Sequence, residues 1–246
     1  MKSPHARVPL VAFGLAAVGD LVSLAAGYET GHAAAKPLLM PLLAAYARAC
    51  GAPRLLVVAL LFGWGGDVLL LFDAEPAFLA GMASFAAGHV CYLLLFGRTT
   101  ALFGKTSGLF GKTSAPFGKH PPRARATWLT AAAYALALVA TVALLWPGLP
   151  ADLRVPVAGY SLLLTAMAYG ATRLGLLAGV GGALFMLSDT LIATGVADWP
   201  QLPRPDLWIM LTYLAAQFLL ARGVLGVPGG QAAPPAAYRE SRTLAT

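Results

Sequence analysis

Charged side chains are scarce in this sequence. Asp, Glu, Lys and Arg make up 11% of its 246 residues, whereas hydrophobic residues make up 59%. An average soluble domain carries about 25% charged residues, so this composition excludes a soluble domain of useful size. The apolar stretches are long enough to cross a hydrocarbon core about 30 Å thick, which needs about 20 helical residues.

Patterns that mark several other protein classes are also missing. Only two cysteines occur, Cys50 and Cys91, which excludes a disulfide framework and a Cys-x-x-Cys metal site. His5, His32 and His120 are predicted in loops or the tail, so a zinc site of three histidines cannot form within the membrane. The Gly-x-Ser-x-Gly pattern of serine hydrolases is absent as well. We therefore expect no metal and no cofactor.

Long apolar runs without alternating patterning predict helices, because a backbone in lipid must satisfy its own hydrogen bonds. We predict an all-α integral membrane protein with one bundle of eight transmembrane helices over residues 1–226. The second span is placed from Lys36-Pro37 onward, because proline is tolerated in a first helical turn. The predicted spans are 8–27, 36–49, 54–72, 76–97, 127–146, 155–174, 175–194 and 206–224.

The connection over residues 98–126 contains a near-repeat, LFGKTS at 102–107 and 109–114 and PFGK at 116–119. Its Gly-Lys-Thr triplets lack the spacing and the preceding strand of a phosphate-binding loop. We predict a basic, flexible, low-complexity loop in contact with anionic lipid. The segment 227–246, rich in proline, glycine and alanine, is predicted to be a disordered tail.

Basic residues are distributed unevenly between the predicted connections. One side of an eight-span protein holds Lys36, Arg154 and Arg204, which leaves fourteen of the seventeen Lys and Arg residues on the other side. Because basic residues concentrate in cytoplasmic connections, we predict that both termini are cytoplasmic. The expected location is the cell membrane, which is the inner membrane in a bacterium. The net charge of +7 follows from this placement and indicates no nucleic-acid partner.

Three aspartates, Asp20, Asp67 and Asp189, interrupt predicted spans one, three and seven. An ionisable group at membrane depth costs about 2.5–3.5 kcal/mol on insertion scales, so it is a candidate functional residue. The three spans run in the same direction, and each aspartate lies at a similar fraction of its span. We therefore expect the carboxyl groups at one depth, in one shared site. The alternative is that each only fixes helix packing, as do the glycines that precede Asp67 and Asp189.

Other polar side chains near these positions are weaker candidates. His89 and Tyr92 lie one helical turn apart in span four, and Ser188 precedes Asp189. Tyr160 is interpreted as an interface or packing aromatic. Two carboxyl groups in a partly dry pocket can hold different protonation states, which suits acid-catalysed cleavage through an oxocarbenium ion.

Four segments together resemble the YhhN-like lysoplasmalogenase family, and the resemblance extends over all eight spans. The segments are 36–40 (KPLLM), 65–70 (GGDVLL), 88–92 (GHVCY) and 182–191 (GALFMLSDTL). This resemblance implies hydrolysis of the vinyl ether bond of lysoplasmalogens to a fatty aldehyde and a glycerophospho-alcohol. It implies Asp67 and Asp189 as catalytic carboxyl groups and His89 as the histidine of span four.

The expected partners are a lysophospholipid substrate and membrane lipids. Further supporting or substrate-binding candidates are Asp20, Tyr92 and Ser188, together with His32 and Lys36, which could meet the lipid phosphate. Another ether lipid is the expected substrate where the source lacks plasmalogens. Two alternatives stay open: a small-solute or proton-coupled transporter that uses the same aspartates, and a membrane scaffold without catalysis.

Overall fold

The computed structural model of the chain describes residues 4–110 and 122–227. Within these ranges the chain forms eight α-helices, one 3-10 helix at Thr172–Leu174 and no strand. The α-helices are α1 (Pro4–Ala26), α2 (Glu29–Ala49), α3 (Arg54–Leu69), α4 (Glu75–Phe110), α5 (Pro122–Leu145), α6 (Arg154–Ala171), α7 (Leu176–Val196) and α8 (Pro205–Gly226). The prediction of an all-α protein is confirmed, and each predicted span falls on one helix.

Six of these helices, α1 and α4 to α8, are long and apolar enough to cross a membrane. The other two are not. Helix α3 has 16 residues, which at a rise of about 1.5 Å each cover about 24 Å, and α2 carries Glu29, Lys36 and two internal prolines. The chain is therefore a multi-pass membrane protein, and eight crossings stays a prediction.

Helix α2 begins at Glu29, seven residues before the predicted start, so Pro37 and Pro41 lie inside it. Pro41 has no N–H and leaves the carbonyl oxygen of Pro37 without its partner in the helix. The indole Nε1 of Trp64 on α3 donates to that oxygen at 2.9 Å. The predicted start was wrong because membrane helices tolerate internal prolines, where neighbouring groups can satisfy a freed carbonyl as Trp64 does for Pro37.

Helix α4 is longer than predicted and takes up part of the predicted loop at 98–126. It continues to Phe110, and α5 begins at Pro122. An isolated glycine such as Gly104 costs a helix about 1 kcal/mol relative to alanine, so it does not by itself end the helix. Residues 111–121, with most of the second repeat copy and all of the third, lie outside the described residues. So does the predicted tail from residue 228 onward.

The helices pack mostly on their neighbours in sequence, and α8 closes the bundle. Close pairs are α1 with α2, α3 with α4, and α7 with α8, while α8 also contacts α1, α2 and α3. Fully buried leucines from α2, α3 and α8 form the centre, among them Leu39, Leu43, Leu60 and Leu220. Helix α5 packs on α6 and α7 only at the edge.

Glycines allow α7 to approach its neighbours closely. A Cβ atom at Gly181 would lie 3.0 Å from the carbonyl oxygen of Ala216 on α8, and one at Gly182 would lie 2.8 Å from the Cα of Ala168 on α6. Small residues at helix contacts are typical of membrane bundles, where van der Waals packing holds the helices together. These two glycines are therefore packing positions.

The outer surface of the bundle is apolar. Val8 and Leu15 on α1 are 74% and 70% exposed, and Leu129 on α5 is 70% exposed. Exposed apolar faces of this extent belong in contact with acyl chains rather than water. Polar side chains such as Asp67, His89 and Gln217 are instead buried inside the bundle.

Candidate active site

Asp67 on α3 lies at one end of a buried hydrogen-bond network. Tyr213 Oη donates to Asp67 Oδ2 at 2.9 Å, and Gln217 Nε2 donates to Tyr213 Oη at 3.3 Å. Tyr92 Oη on α4 donates to Gln217 Oε1 at 2.8 Å. Tyr213 and Gln217 share a face of α8 because they are four residues apart. All four side chains are at most 3% exposed, so this network is closed to solvent.

Charged side chains on α1 and α2 surround Asp67 as well. Lys36 is 9% exposed and lies close enough to Asp67 for their charges to interact, as do Asp20 and Asp189. One turn earlier on α2, His32 Nδ1 lies 2.8 Å from Asp20 Oδ1. Asp20 is fully buried, and its Oδ2 has no hydrogen-bond partner. Asp20 therefore belongs to the charged neighbourhood of Asp67. His32, predicted in a loop, lies in the first turn of α2.

Asp189 on α7 lies in a second network, built on α4 and α6. Tyr160 Oη on α6 donates to Asp189 Oδ2, and the ring nitrogen Nε2 of His89 lies 3.0 Å from the same Tyr160 oxygen. His89 is 1% exposed, and its Nδ1 is buried without a partner. Asp189 itself is only partly buried.

The exposed part of Asp189 faces a cavity between α4, α5, α6 and α7. The cavity holds about 750 Å³ of empty space, counting its open mouth. Asp189 and Tyr160 are in its wall, with Thr190, Ser161, Thr165 and Thr141 as the remaining polar residues. The other residues of the wall are apolar and include Phe78, Met82, Leu138, Val157, Leu164 and Met186. The cavity is therefore an apolar slot with a single ionisable carboxyl group in its wall.

Aromatic rings separate the two carboxyl groups. The ring of Tyr213 lies 5.9 Å from that of Phe85 and 5.5 Å from that of Phe185, and Phe185 lies 4.8 Å from His89. Phe85 also lines the cavity. A Cβ atom at Gly66 would overlap the ring of Phe85, so this glycine lets α3 and α4 meet beside the carboxyl group. The two networks touch through rings and share no hydrogen bond.

The YhhN family profile matches residues 31–224, which contain both networks and all four sequence segments singled out above. The chain belongs to the YhhN family. Three curated proteins named lysoplasmalogenase TMEM86B are similar to it. The human protein is 34% identical over 178 residues, which are 72% of this chain and 66% of the human protein. The pig protein is 34% identical over 170 residues, and the rat protein 31% over 164 residues.

The match covers just under two-thirds of the length of the human relative. It covers 63% of the pig protein and 58% of the rat protein. The aligned parts cover 69% of the chain for the pig protein and 67% for the rat protein. No solved structure matches the chain.

Two other predicted residues of this YhhN chain do not line the cavity. Tyr92 joins the Asp67 network rather than the neighbourhood of His89. Ser188 is 1% exposed, and its Oγ donates to the carbonyl oxygen of Ile209 on α8 at 3.1 Å. Successive side chains on a helix point about 100° apart, so Ser188 faces α8 while Asp189 faces α6. No group of three or more His, Cys, Asp and Glu side chains within the described ranges could hold a metal ion.

Sequence reasoning missed Tyr160, Tyr213 and Gln217. Tyr160, interpreted as an interface or packing aromatic, instead contacts both Asp189 and His89. Gln217 had a usable signal, because it is an uncharged polar side chain within an apolar span and marks a face of α8. Tyr213 precedes it by one turn on that same face.

Proposed function

We propose that this YhhN chain hydrolyses the vinyl ether bond of lysoplasmalogens. The products are a fatty aldehyde and a glycerophospho-alcohol, such as glycerophosphoethanolamine or glycerophosphocholine. The names of the curated relatives support this activity, and the apolar slot beside Asp189 supports the chemistry.

The position of Asp189 in an apolar wall is the observation that carries the proposal. Acid cleavage of a vinyl ether begins when a proton reaches the alkene carbon farther from the oxygen. That carbon is already part of the hydrocarbon chain. The acid must therefore touch a slot that accepts an alkyl chain, and Asp189 is the carboxyl group that lines the cavity.

Asp189 acts as the general acid in this mechanism. Its proton moves to the alkene carbon, and the positive charge is shared between the adjacent carbon and the ether oxygen. Water adds to the charged carbon and returns a proton to the Asp189 carboxylate, which gives a hemiacetal. The hemiacetal C–O bond to the glycerol then breaks, and the glycerol oxygen receives the hydroxyl proton as the aldehyde forms. The sum is one water consumed for one ether bond cleaved.

Asp67 stabilises the positive charge without touching the chain. It is buried in a region of low dielectric, where a negative charge acts over a longer distance than in water, and it interacts with Asp189 through its charge. Lys36 balances it in the resting site. Neither Lys36 nor His32 lines the slot, so the contact of these residues with the headgroup phosphate stays a prediction.

The active site belongs to the outer half of the membrane. We place both termini in the cytoplasm, with α2 and α3 completing eight crossings, since fourteen of the seventeen basic residues then lie on the cytoplasmic side. Asp20, Asp67 and Asp189 then lie at similar depth on helices that run outward. The protein belongs to the cell membrane and draws its lysolipid from that bilayer.

The decisive experiment uses purified protein in detergent with a lysoplasmalogen, and follows aldehyde release. Wild type is compared with Asp67→Asn and Asp189→Asn. Asp152→Asn, an exposed aspartate in the connection between α5 and α6, is the matched control. We expect release from wild type and the control, and a loss of at least about 100-fold in Asp189→Asn, the lower range for a general acid.

Substrate arms define the outcome further. A saturated 1-O-alkyl lysophospholipid should bind without being cleaved, because it has no alkene carbon to protonate. If the wild type releases no aldehyde, the proposed activity is wrong and the transporter hypothesis remains. Solute uptake into proteoliposomes then tests that hypothesis. Full activity in both aspartate variants would remove the carboxyl mechanism alone.

A further inference from the structure

The hydrogen bonds around Tyr160 take one direction when Tyr160 donates to Asp189. The tyrosine has a single O–H, which donates to Asp189 Oδ2. Its oxygen can therefore only accept from Nε2 of His89, 3.0 Å away. In this arrangement His89 carries its proton on Nε2, so Nδ1 is a bare acceptor. That atom is the one found buried without a partner, where an N–H would be an unsatisfied donor.

This direction determines which oxygen of Asp189 can deliver a proton. Oδ2 is occupied as an acceptor from Tyr160, so the acidic proton is carried on Oδ1. After the proton leaves, the carboxylate keeps the hydrogen bond from Tyr160. Hydrogen bonds to an ionised acceptor are roughly twice as strong as those between neutral groups, so this bond strengthens as the reaction proceeds.

We propose that Tyr160 is a positioning residue for Asp189 and that His89 acts through Tyr160. This proposal rests on the proposed function. In it α7 carries the acid Asp189, α6 carries the tyrosine that orients Asp189, and α4 carries the histidine that orients the tyrosine. An interaction that strengthens only during the reaction raises kcat and leaves substrate binding unchanged.

The first test replaces Tyr160 by Phe, with Tyr169→Phe as the control on the same helix. Tyr169 packs on Tyr134 and lies outside both networks. We expect kcat to fall about 100-fold in Tyr160→Phe, similar to the loss of one oriented donor in other active sites. KM for lysoplasmalogen and the inhibition constant of the saturated 1-O-alkyl analogue should stay within about twofold. Tyr169→Phe should match wild type.

The second test keeps Tyr160 in place and changes its donor. The amide nitrogen of Gln can occupy the position of a histidine Nε2, whereas Asn is shorter and reaches only the position of Nδ1. We expect His89→Gln to retain more kcat than His89→Asn by about tenfold, with equal binding of the saturated analogue. Equal kcat in the two variants would contradict the role of His89.

The outcomes separate this inference from the proposed function. No aldehyde from wild type would end both. An active wild type with an unchanged Tyr160→Phe enzyme would overturn only the role of Tyr160. The role of Tyr160 would also be overturned if Tyr160→Phe lowered the affinity for the saturated analogue by the same factor as kcat. That pattern would indicate that the substitution damages the cavity. If Tyr160→Phe does not fold, the His89 pair decides.

Discussion

Asp67 and Asp189 are the same residue type at membrane depth, yet their surroundings differ in nearly every respect. Asp67 is 2% exposed, and Tyr213 holds its Oδ2 in a buried network that continues to Gln217 and Tyr92. Asp189 is partly exposed to an apolar cavity, and its network ends in the unpaired Nδ1 of His89.

The sequence shows both aspartates as the same kind of buried carboxyl group. Their different surroundings indicate that the two residues have different tasks. A closed network restrains helices, because removing one partner of its hydrogen bonds leaves a buried polar atom unsatisfied. A carboxyl group that has one oxygen hydrogen-bonded and that also lines a cavity can exchange a proton with a bound substrate. We infer that the Asp67 side mainly supplies structure and charge, and that the Asp189 side carries out the bond cleavage.

The largest effect tests this contrast directly. Asp189→Asn removes the acid while the amide oxygen still accepts from Tyr160, so we expect about 1,000-fold lower kcat, within the range for a general acid. The melting temperature in detergent should stay within a few degrees. A destabilisation larger than that of Asp67→Asn would reverse the proposed division.

Tyrosine variants compare the two networks by stability. Tyr213→Phe removes the donor to a buried carboxylate, and hydrogen bonds to charged groups contribute about 1.5–3 kcal/mol. We expect a loss of that size in the free energy of unfolding. Tyr160→Phe should cost less than about 1 kcal/mol, because Asp189 can be hydrated from the cavity. Denaturant titration in mixed micelles measures both, and equal losses would contradict the contrast.

Filling the cavity beside Asp189 should affect only the binding of the substrate. Ser161→Phe adds a ring to the cavity wall, so we expect about tenfold weaker binding of long-chain lysoplasmalogen and a smaller effect on a short-chain homologue. Leu162→Phe is the control, since Leu162 is 60% exposed on the same helix. Inhibition by saturated ethers of graded chain length provides the measurement. Equal effects on substrates of all alkyl-chain lengths would mean that the alkyl chain binds outside this cavity.

The smallest expected effect concerns the closed side. Trp64→Phe removes the indole donor to Pro37 and should cost about 1 kcal/mol of unfolding free energy, the usual value for one hydrogen bond. Trp128→Phe at a 78% exposed position is the control. Activity per folded molecule should be unchanged in both. A stability loss in the control of the same size would mean that the indole bond contributes nothing.

Much of this arrangement follows from the sequence, because lipid imposes strong rules. Long apolar runs must form helices, and few positions can hold a charge. These two facts predicted the eight helices that the described residues form. They also singled out the three aspartates, whose shared site stays a prediction. The assignment of Asp67 and Asp189 as catalytic stays a prediction until the variants are assayed.

What the sequence did not provide are contacts made across the bundle. A tyrosine in a membrane helix is common at interfaces, so Tyr160 carries no signal until α4 and α7 place His89 and Asp189 beside it. Likewise, a proline rule applied to α2 alone placed its start at Lys36. The donor to the freed Pro37 carbonyl belongs to α3, and no local pattern records it.

The hydrogen bond from Trp64 to the Pro37 carbonyl also bears on how the protein is assembled. Helix α2 has a gap in its own backbone bonding, and α3 is too short to cross a bilayer of average thickness unaided. Each therefore depends on the other during insertion. The two should enter the bilayer together as a hairpin, after α1 has been threaded. Helix α2 would then reach its final packing only once α3 is present to donate the Trp64 hydrogen bond.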